Sequence, residues 1–138
     1  MNEVEIYAQL SNSMIGTGLF FIAWAFLLWV SGRAVTLALE NNAGIVTKIA
    51  TTIFGLVALY QVNFLASYIT FNFASAAHSL AVLKDSGTDV SARALAFINQ
   101  SGATSEVPAL SMTPDLVTGL FIVSAAYLIL GRLWIGNK

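Results

Sequence analysis

The sequence predicts an all-α integral membrane protein with three transmembrane helices and a short amphipathic helix in the loop between the second and the third. Of the 138 residues, 57% are hydrophobic and only 9% are charged, whereas an ordinary soluble domain is roughly 25% charged. Charged and turn-forming residues divide the chain into three long apolar runs, and a helix needs about 20 apolar residues to cross a bilayer. We therefore expect residues 1–138 to form a single membrane domain.

The first span is predicted over about residues 6–39. Asn2 and Glu5 have the spacing of a capping box, which starts a helix between them. Residues 6–32 carry no charge, and Arg33 follows at the predicted water boundary. Because the chain has acids but no Lys or Arg before Arg33, this run is interpreted as a retained span rather than a secretory signal.

The second span is predicted over about residues 45–83, after a short break at residues 40–44. Between Lys48 and Lys84 lie 35 uncharged residues, which as one helix measure about 52 Å at about 1.5 Å per residue. The hydrocarbon core of a bilayer is only about 30 Å thick. The sequence leaves three alternatives open: a strong tilt, a projection into water, or a break in the helix.

An extramembrane loop is predicted over residues 84–112, the most polar segment of the chain. Residues 85–89, Asp-Ser-Gly-Thr-Asp, indicate a turn with an N-cap. Apolar residues then recur at helical spacing, at Val90, Ala94, Phe97 and Ile98. We expect a short amphipathic helix that ends near Gly102 and lies on the membrane surface or on neighbouring subunits.

The third span is predicted over about residues 113–136. Thr113 has the character of an N-cap, Pro114 suits the first helical position, and Asp115 suits the first turn. Asp115 is therefore interpreted as a capping residue and not as a catalytic acid. Arg132, near the end of the run, is expected to extend toward the lipid headgroups.

The distribution of Lys and Arg predicts the orientation of the spans. One side of the membrane would carry Arg33, Lys48, Arg132 and Lys138, and the other would carry Lys84 and Arg93. Positive residues favour the cytoplasmic side. We therefore expect the amino terminus and the 84–112 loop outside and the carboxyl terminus inside.

The polar side chains of residues 60–79 form two stripes when the segment is drawn as a helix at about 100° per residue. The first polar stripe contains Gln61, Tyr68, Asn72, Ser75 and Ser79. The second polar stripe, displaced by roughly 120–140°, contains Tyr60, Asn63, Ser67, Thr70 and His78. The remaining side is predicted to face lipid and contains Val62, Ala66, Ile69, Phe73 and Ala76.

Two polar stripes predict two neighbouring surfaces, because hydrogen-bonding groups in hydrocarbon require partners. The predicted packing and partner-binding residues are Gln61, Asn63, Ser67, Tyr68, Asn72, Ser75 and Ser79. The alternative, a polar path or ligand site, is less favoured because the stripes lack the acids, lysines and arginines that usually mark ion and proton routes.

Candidate ligands for cofactors and lipids are few. His78 is the only histidine, and it is a possible ligand for haem or hydrogen-bond partner for quinone. A two-histidine haem site would need a second histidine from another chain. Arg33 and Arg132 are possible contacts for lipid headgroups, although membrane anchoring by positive residues explains them as well. No cofactor is firmly implied, and bound lipid is expected.

The predicted function is a non-catalytic accessory or structural subunit of a larger membrane complex. The chain has no cysteine and no spacing typical of a catalytic triad, phosphate loop or metal site, so we predict no enzyme activity and no metal. A net charge of −1 with scattered Lys and Arg residues argues against nucleic acid as a partner. Other membrane subunits, copies of the chain itself and lipids remain as partners.

Two alternative functions stay open. The first is a self-assembling membrane protein, either a holin-like pore former or a structural protein of a membrane-bearing particle. The second is a membrane anchor of a respiratory complex that binds haem or quinone through His78. We expect the protein in the bacterial cytoplasmic membrane or an equivalent energy-transducing membrane.

Overall fold

The computed structural model describes residues 1–135, and all regular secondary structure in that range is helical. Three helical stretches are long and apolar enough to cross a membrane: Glu3–Glu40, Ile45–Asp85 and Leu116–Trp134. The predicted all-α class and the three candidate spans are confirmed. Gly136, at the end of the predicted third span, and Lys138, used for the orientation, lie outside the described residues.

Helix α1 spans Glu3–Glu40 and begins with the predicted capping box. The Asn2 backbone N–H donates to Glu5 Oε2 at 2.8 Å, and the Glu5 backbone N–H donates to Asn2 Oδ1 at 2.9 Å. At the other end Asn42 has a φ of 48°, a left-handed conformation that asparagine tolerates and that commonly terminates helices. The predicted break at residues 40–44 is therefore present after α1.

Helix α2 spans Ile45–Asp85 without interruption. A break in the second span, one of the three alternatives for its excess length, therefore does not occur. A turn follows α2, with Gly87 at a φ of 85°, where a residue without Cβ is favoured.

Helix α3 spans Ala92–Ser101 in the polar segment between α2 and the third span. Its N-cap is Ser91, whose Oγ accepts from the Ala94 N–H at 3.2 Å, and not a residue of the 85–89 turn. That turn instead follows the end of α2 and precedes the cap. Gly102 ends the helix with a φ of 63°, as predicted. The location of α3 relative to a membrane stays a prediction.

The third span consists of α4, Leu116–Ala126, a π-helical turn, Tyr127–Gly131, and α5, Arg132–Trp134. The predicted start of this span is wrong: Asp115, and not Thr113, is the N-cap. The Asp115 carboxylate accepts backbone N–H groups from Val117 at 2.8 Å and Thr118 at 3.0 Å. A carboxylate satisfies two unpaired amides there, which makes it the stronger cap.

Contacts between residues divide the chain into two compact units, described separately below. Unit 1 comprises Met1–Gly18 and Ser67–Ser111, and unit 2 comprises Leu19–Ala66 and Met112–Lys138. Both α1 and α2 contribute residues to each unit. The prediction of a single membrane domain is not tested by this division and stays a prediction.

Unit 1 has a small core in which α1, α2 and α3 meet. Its buried side chains are Ile6, Ala76, Leu80, Ala81, Ala94 and Ile98. Leu80 and Ala94 are completely inaccessible. Val90, which precedes α3, packs against this core although it lies outside the helix.

Unit 2 has a separate core in which α1 packs against the third span. The buried side chains are Val35, Ala38, Ile129 and Leu133. Trp134 Nε1–H donates to Thr52 Oγ1 of α2 at 2.9 Å. Gly55 of α2 lies so close to Ile129 that a Cβ at position 55 would stand 2.6 Å from Ile129 Cγ2.

Candidate functional site

The first polar stripe lines a cavity in unit 1. The cavity has a volume of about 280 Å³ and lies between the start of α1 and the second half of α2. From the predicted stripe it includes Tyr68, Asn72, Ser75 and Ser79. The four side chains share one face of α2, as their spacing predicted. Gln61 belongs to unit 2.

Two polar residues of α1, Gln9 and Ser13, complete the polar lining of the cavity. The sequence analysis missed both. Their spacing of four residues places them on one row of a helix, and this row continues to Glu5. That polar row was the signal available for finding them.

Asn72 is the side chain of the cavity whose hydrogen bonding is incomplete. Its Nδ2 is buried and has no hydrogen-bond partner within residues 1–135. Ser79, one turn further along α2, instead donates its hydroxyl to the Ser75 carbonyl at 2.9 Å. A buried amide N–H without an acceptor costs about 1–3 kcal/mol. The lining of the cavity thus includes an amide that has one donor without an acceptor in the described part of the chain.

No charged side chain is among the residues that line this cavity. Its polar groups are amides and hydroxyls, which donate and accept hydrogen bonds. Such a lining suits a neutral hydrogen-bonding group from a partner.

The second polar stripe binds polypeptide that follows α3. In unit 2, Asn63 Nδ2–H donates to the Met112 carbonyl at 3.0 Å, just before the third span begins. In unit 1, His78 Nδ1 lies 3.0 Å from the Thr104 carbonyl, so the ring N–H at Nδ1 is the donor. Ser67 of the same stripe is buried. The chain's own 102–112 segment therefore meets this stripe at two of its positions.

His78 has one ring nitrogen committed to this contact. Because Nδ1 donates to Thr104, Nε2 carries the lone pair that a metal or a quinone hydroxyl would use. His78 lines two recesses of unit 1, of about 300 and 250 Å³, and the smaller of them also contains Glu106. Within residues 1–135 no three His, Cys, Asp or Glu side chains are grouped closely enough to hold a metal ion.

The predicted lipid side of α2 is wrong at two positions. Val62 is 5% exposed and Ala76 is 8% exposed, so both side chains are buried within the protein. Phe73 is 42% exposed, and its ring meets Phe97 of α3 edge to face at 6.4 Å. Small and apolar residues pack helices together as readily as they face lipid, so apolarity alone did not identify the outer face.

Arg33 and Arg132, the predicted headgroup contacts, are both exposed in unit 2. Each follows a glycine near the end of its span. Exposure leaves both guanidinium groups accessible to phosphate. Their binding to lipid stays a prediction.

The start of α1 holds the start of α3 through polar contacts in unit 1. Glu3 accepts from the Ser91 backbone N–H at 2.9 Å and from the Ser91 hydroxyl at 2.5 Å. The Arg93 guanidinium lies 5.5 Å from the centre of the Tyr7 ring, a cation–π contact. Neither contact was predicted from the sequence.

The Asp115 cap defines the electrostatics at the start of the third span. Hydrogen bonds from the Thr118 backbone N–H, the Thr118 hydroxyl and the Val117 N–H hold the pKa of the Asp115 carboxyl below its usual value. The carboxylate form is favoured because all these donors stabilise negative charge. Asp115 is thus a capping group, as its sequence context indicated.

Comparisons of the chain with protein-family models, with curated proteins and with solved structures found no match.

Proposed function

We propose that this protein is a non-catalytic accessory or structural subunit of a larger membrane complex. It docks onto other subunits through the polar stripes of α2 and through the 84–112 segment. The observation that carries this proposal is the uncharged polar cavity of unit 1, with the buried and unsatisfied amide of Asn72. A carbonyl or hydroxyl oxygen from a partner would complete that hydrogen bond.

The energetic gain from such a contact is sufficient to select a partner. If the unsatisfied amide costs about 1–3 kcal/mol, an acceptor that removes this cost strengthens binding about five- to 150-fold. The contact is neutral, so it adds affinity without placing a charge near the membrane. Specificity then comes from the match between the partner's oxygen and this single donor.

The orientation and location proposed for the protein follow the positions of its positive residues. The amino terminus and the 84–112 segment lie outside, and the ends of the first and third spans lie at the cytoplasmic face, where Arg33 and Arg132 anchor the helices. The host membrane is the bacterial cytoplasmic membrane or an equivalent energy-transducing membrane.

Purification of the tagged full chain from its native membrane in mild detergent tests the proposal. Wild-type protein is expected to retain other subunits, identified by mass spectrometry, and Asn72→Ala is expected to lose them. The matched control is Asn12→Ala, an exposed amide of α1 that lies in neither docking surface, and it should retain them. Recovery of wild-type protein only as a monomer without partners would overturn the proposal.

Self-assembly is the alternative that the same experiment separates. If the particle contains only copies of the chain and Asn72→Ala dissociates them, the polar cavity binds a second copy. The protein would then belong with holin-like pore formers or structural proteins of membrane-bearing particles. A stoichiometric partner of different sequence excludes this alternative.

The haem or quinone alternative depends on the uncommitted Nε2 of His78. A haem spectrum in the purified complex that disappears in His78→Ala, together with a second histidine from a partner chain, would establish a haem anchor. Extraction and chromatography of bound quinone test the other cofactor. A complex that carries neither group in the wild-type protein would leave His78 as the residue that holds Thr104.

A further inference from the structure

We propose that unit 2 alone occupies the hydrocarbon of the bilayer and that unit 1 is an extramembrane module in contact with water. The bilayer is then crossed by Leu19–Glu40 of α1, by Ile45–Ala66 of α2 and by the third span. Most of the polar 60–79 stretch, from Ser67 onward, lies outside the hydrocarbon. Four lines of observation support this assignment.

The lengths of α1 and α2 exceed what a bilayer accommodates. They contain 38 and 41 residues, which correspond to about 57 and 61 Å. To fit 61 Å into about 30 Å of hydrocarbon, α2 would tilt by about 60°, whereas transmembrane helices tilt by about 0–40°. Even at about 40°, only about 26 residues remain in hydrocarbon. Because α2 is continuous, a substantial part of it must leave the hydrocarbon.

The exposed apolar side chains identify the part that stays in the membrane. Of the large apolar side chains exposed within residues 1–135, eight lie in unit 1 and twenty-four in unit 2. The two units have similar lengths, so the difference reflects their surfaces. On α2, the exposed apolar residues run densely from Ile45 to Tyr60, and beyond them only Phe73 and Val82 belong to this group. Unit 2 therefore has the surface that lipid chains require.

The charged residues show the complementary distribution. Unit 1 contains Glu3, Glu5, Lys84, Asp85, Asp89, Arg93 and Glu106. In the described part of unit 2, every charge lies within seven residues of a helix end, at Arg33, Glu40, Lys48, Asp115 and Arg132. The third span has 19 residues, or about 28 Å, which matches the hydrocarbon thickness. Unit 2 is thus an apolar layer one bilayer thick with charged borders.

The core of unit 1 is organised like that of a water-soluble domain. Its apolar side chains, such as Leu80 and Ile98, point into a shared interior, whereas many apolar side chains of unit 2 point outward. The hydrogen bonds of Glu3 with Ser91 are exposed, and so is Arg93, whose guanidinium lies over the Tyr7 ring. Charged groups in exposed positions are suited to water. The polar cavity then belongs to a surface that a partner reaches from the aqueous phase.

Cysteine accessibility tests the assignment, because the chain contains no native cysteine. Two pairs on α2 match residue type and exposure: Phe54 at 37% with Phe73 at 42%, and Val57 at 46% with Val82 at 44%. Each position is changed singly to Cys in the full chain. The proteins are placed in lipid nanodiscs, in which both faces of the bilayer are open to solution, and labelled with a membrane-impermeant maleimide.

We expect Phe73→Cys and Val82→Cys to react at least about tenfold faster than Phe54→Cys and Val57→Cys, because a thiol in hydrocarbon forms little thiolate and is shielded from the reagent. A bilayer centred on residues 60–79 would instead shield the thiol of Phe73→Cys from the maleimide and leave the thiol of Phe54→Cys accessible to it. That reversed order, or equal protection at positions 54 and 73, would overturn the proposal. Size-exclusion profiles identical to wild type ensure that the rates report on folded protein. The measurement does not depend on any partner, so its failure is distinct from failure of the proposed function.

Discussion

The substitution Gly55→Ala should weaken the packing of α2 against the third span. Gly55 is buried, and a Cβ there would stand 2.6 Å from Ile129 Cγ2, well inside the optimal separation of about 3.5–4.0 Å between carbon atoms. Ile129 is 3% exposed and branched at Cβ, so its methyl group has little freedom to move. The added methyl must therefore force α2 and the third span apart by about 1 Å.

The expected magnitude is the difference between two opposing effects. Overpacking a well-packed core costs about 1–3 kcal/mol, whereas replacing glycine by alanine inside a helix contributes about 1 kcal/mol of stability. Gly18→Ala serves as the control, because no atom lies within 4 Å of a Cβ at position 18. Gly18→Ala gains the higher helix propensity of alanine without introducing a steric clash. The two variants should therefore differ by about 1–3 kcal/mol, with Gly55→Ala the less stable.

Thermal unfolding of the full chain in detergent micelles, followed by circular dichroism, measures this difference. The second substitution Ile129→Ala removes the contacting methyl group and should rescue Gly55→Ala, giving a double-mutant coupling of about 0.5–3 kcal/mol. The close contact between Gly55 and Ile129 is refuted if Gly55→Ala is as stable as Gly18→Ala. It is also refuted if the double variant loses the summed stability of the two single variants, with no rescue.

Three further predictions concern other parts of the molecule. Leu80→Ala should destabilise the core of unit 1 by about 2–5 kcal/mol, since Leu80 is fully buried, and hydrogen exchange in α3 should accelerate; the exposed Val82→Ala control should change stability by about 0.5 kcal/mol or less. Because hydrogen bonds hold the pKa of Asp115 below its usual value, its contribution to stability is complete above that usual value and is lost as the pH falls through the lowered one. Asp115→Asn should show less acid-induced loss of thermal stability than wild type, and an equal loss would contradict the assignment. Trp134→Phe removes the indole N–H that donates to Thr52 and should cost about 0.5–1.5 kcal/mol; Thr52→Val combined with it should add little, whereas full additivity would show that the hydrogen bond contributes nothing.

The sequence predicted where helices begin and end better than it predicted which segments pack against them. The capping box at Asn2 and Glu5, the break before α2 and the end of α3 at Gly102 depend on local chemistry, and all three are present. The N-cap of the third span was misplaced by two residues because Thr113 and Asp115 are both good caps. The choice between the two caps depends on which residue can accept hydrogen bonds from the first free backbone N–H groups of the helix, those of Val117 and Thr118.

The faces of α2 were harder to predict for a physical reason. In water, apolar residues point inward, but a membrane helix is apolar both toward its neighbours and toward lipid. Val62 and Ala76 were therefore assigned to lipid although they are buried. The polar stripes were a better guide, because Asn63 and His78 do contact other segments of the chain, but the identity of those segments depends on the fold.

The π-helical turn in the third span has a consequence for changes in chain length. No side chain of α4 is buried, whereas Ile129 and Leu133, within and after the turn, are buried. Successive residues of a helix are separated by about 100° around its axis, so deleting one residue within Tyr127–Gly131 would change the phase of everything after it by about that angle. Leu133 would then turn away from Val35 and Ala38. The span should tolerate many apolar substitutions in its first three turns, and it should be most sensitive to the loss or gain of a single residue at its π turn.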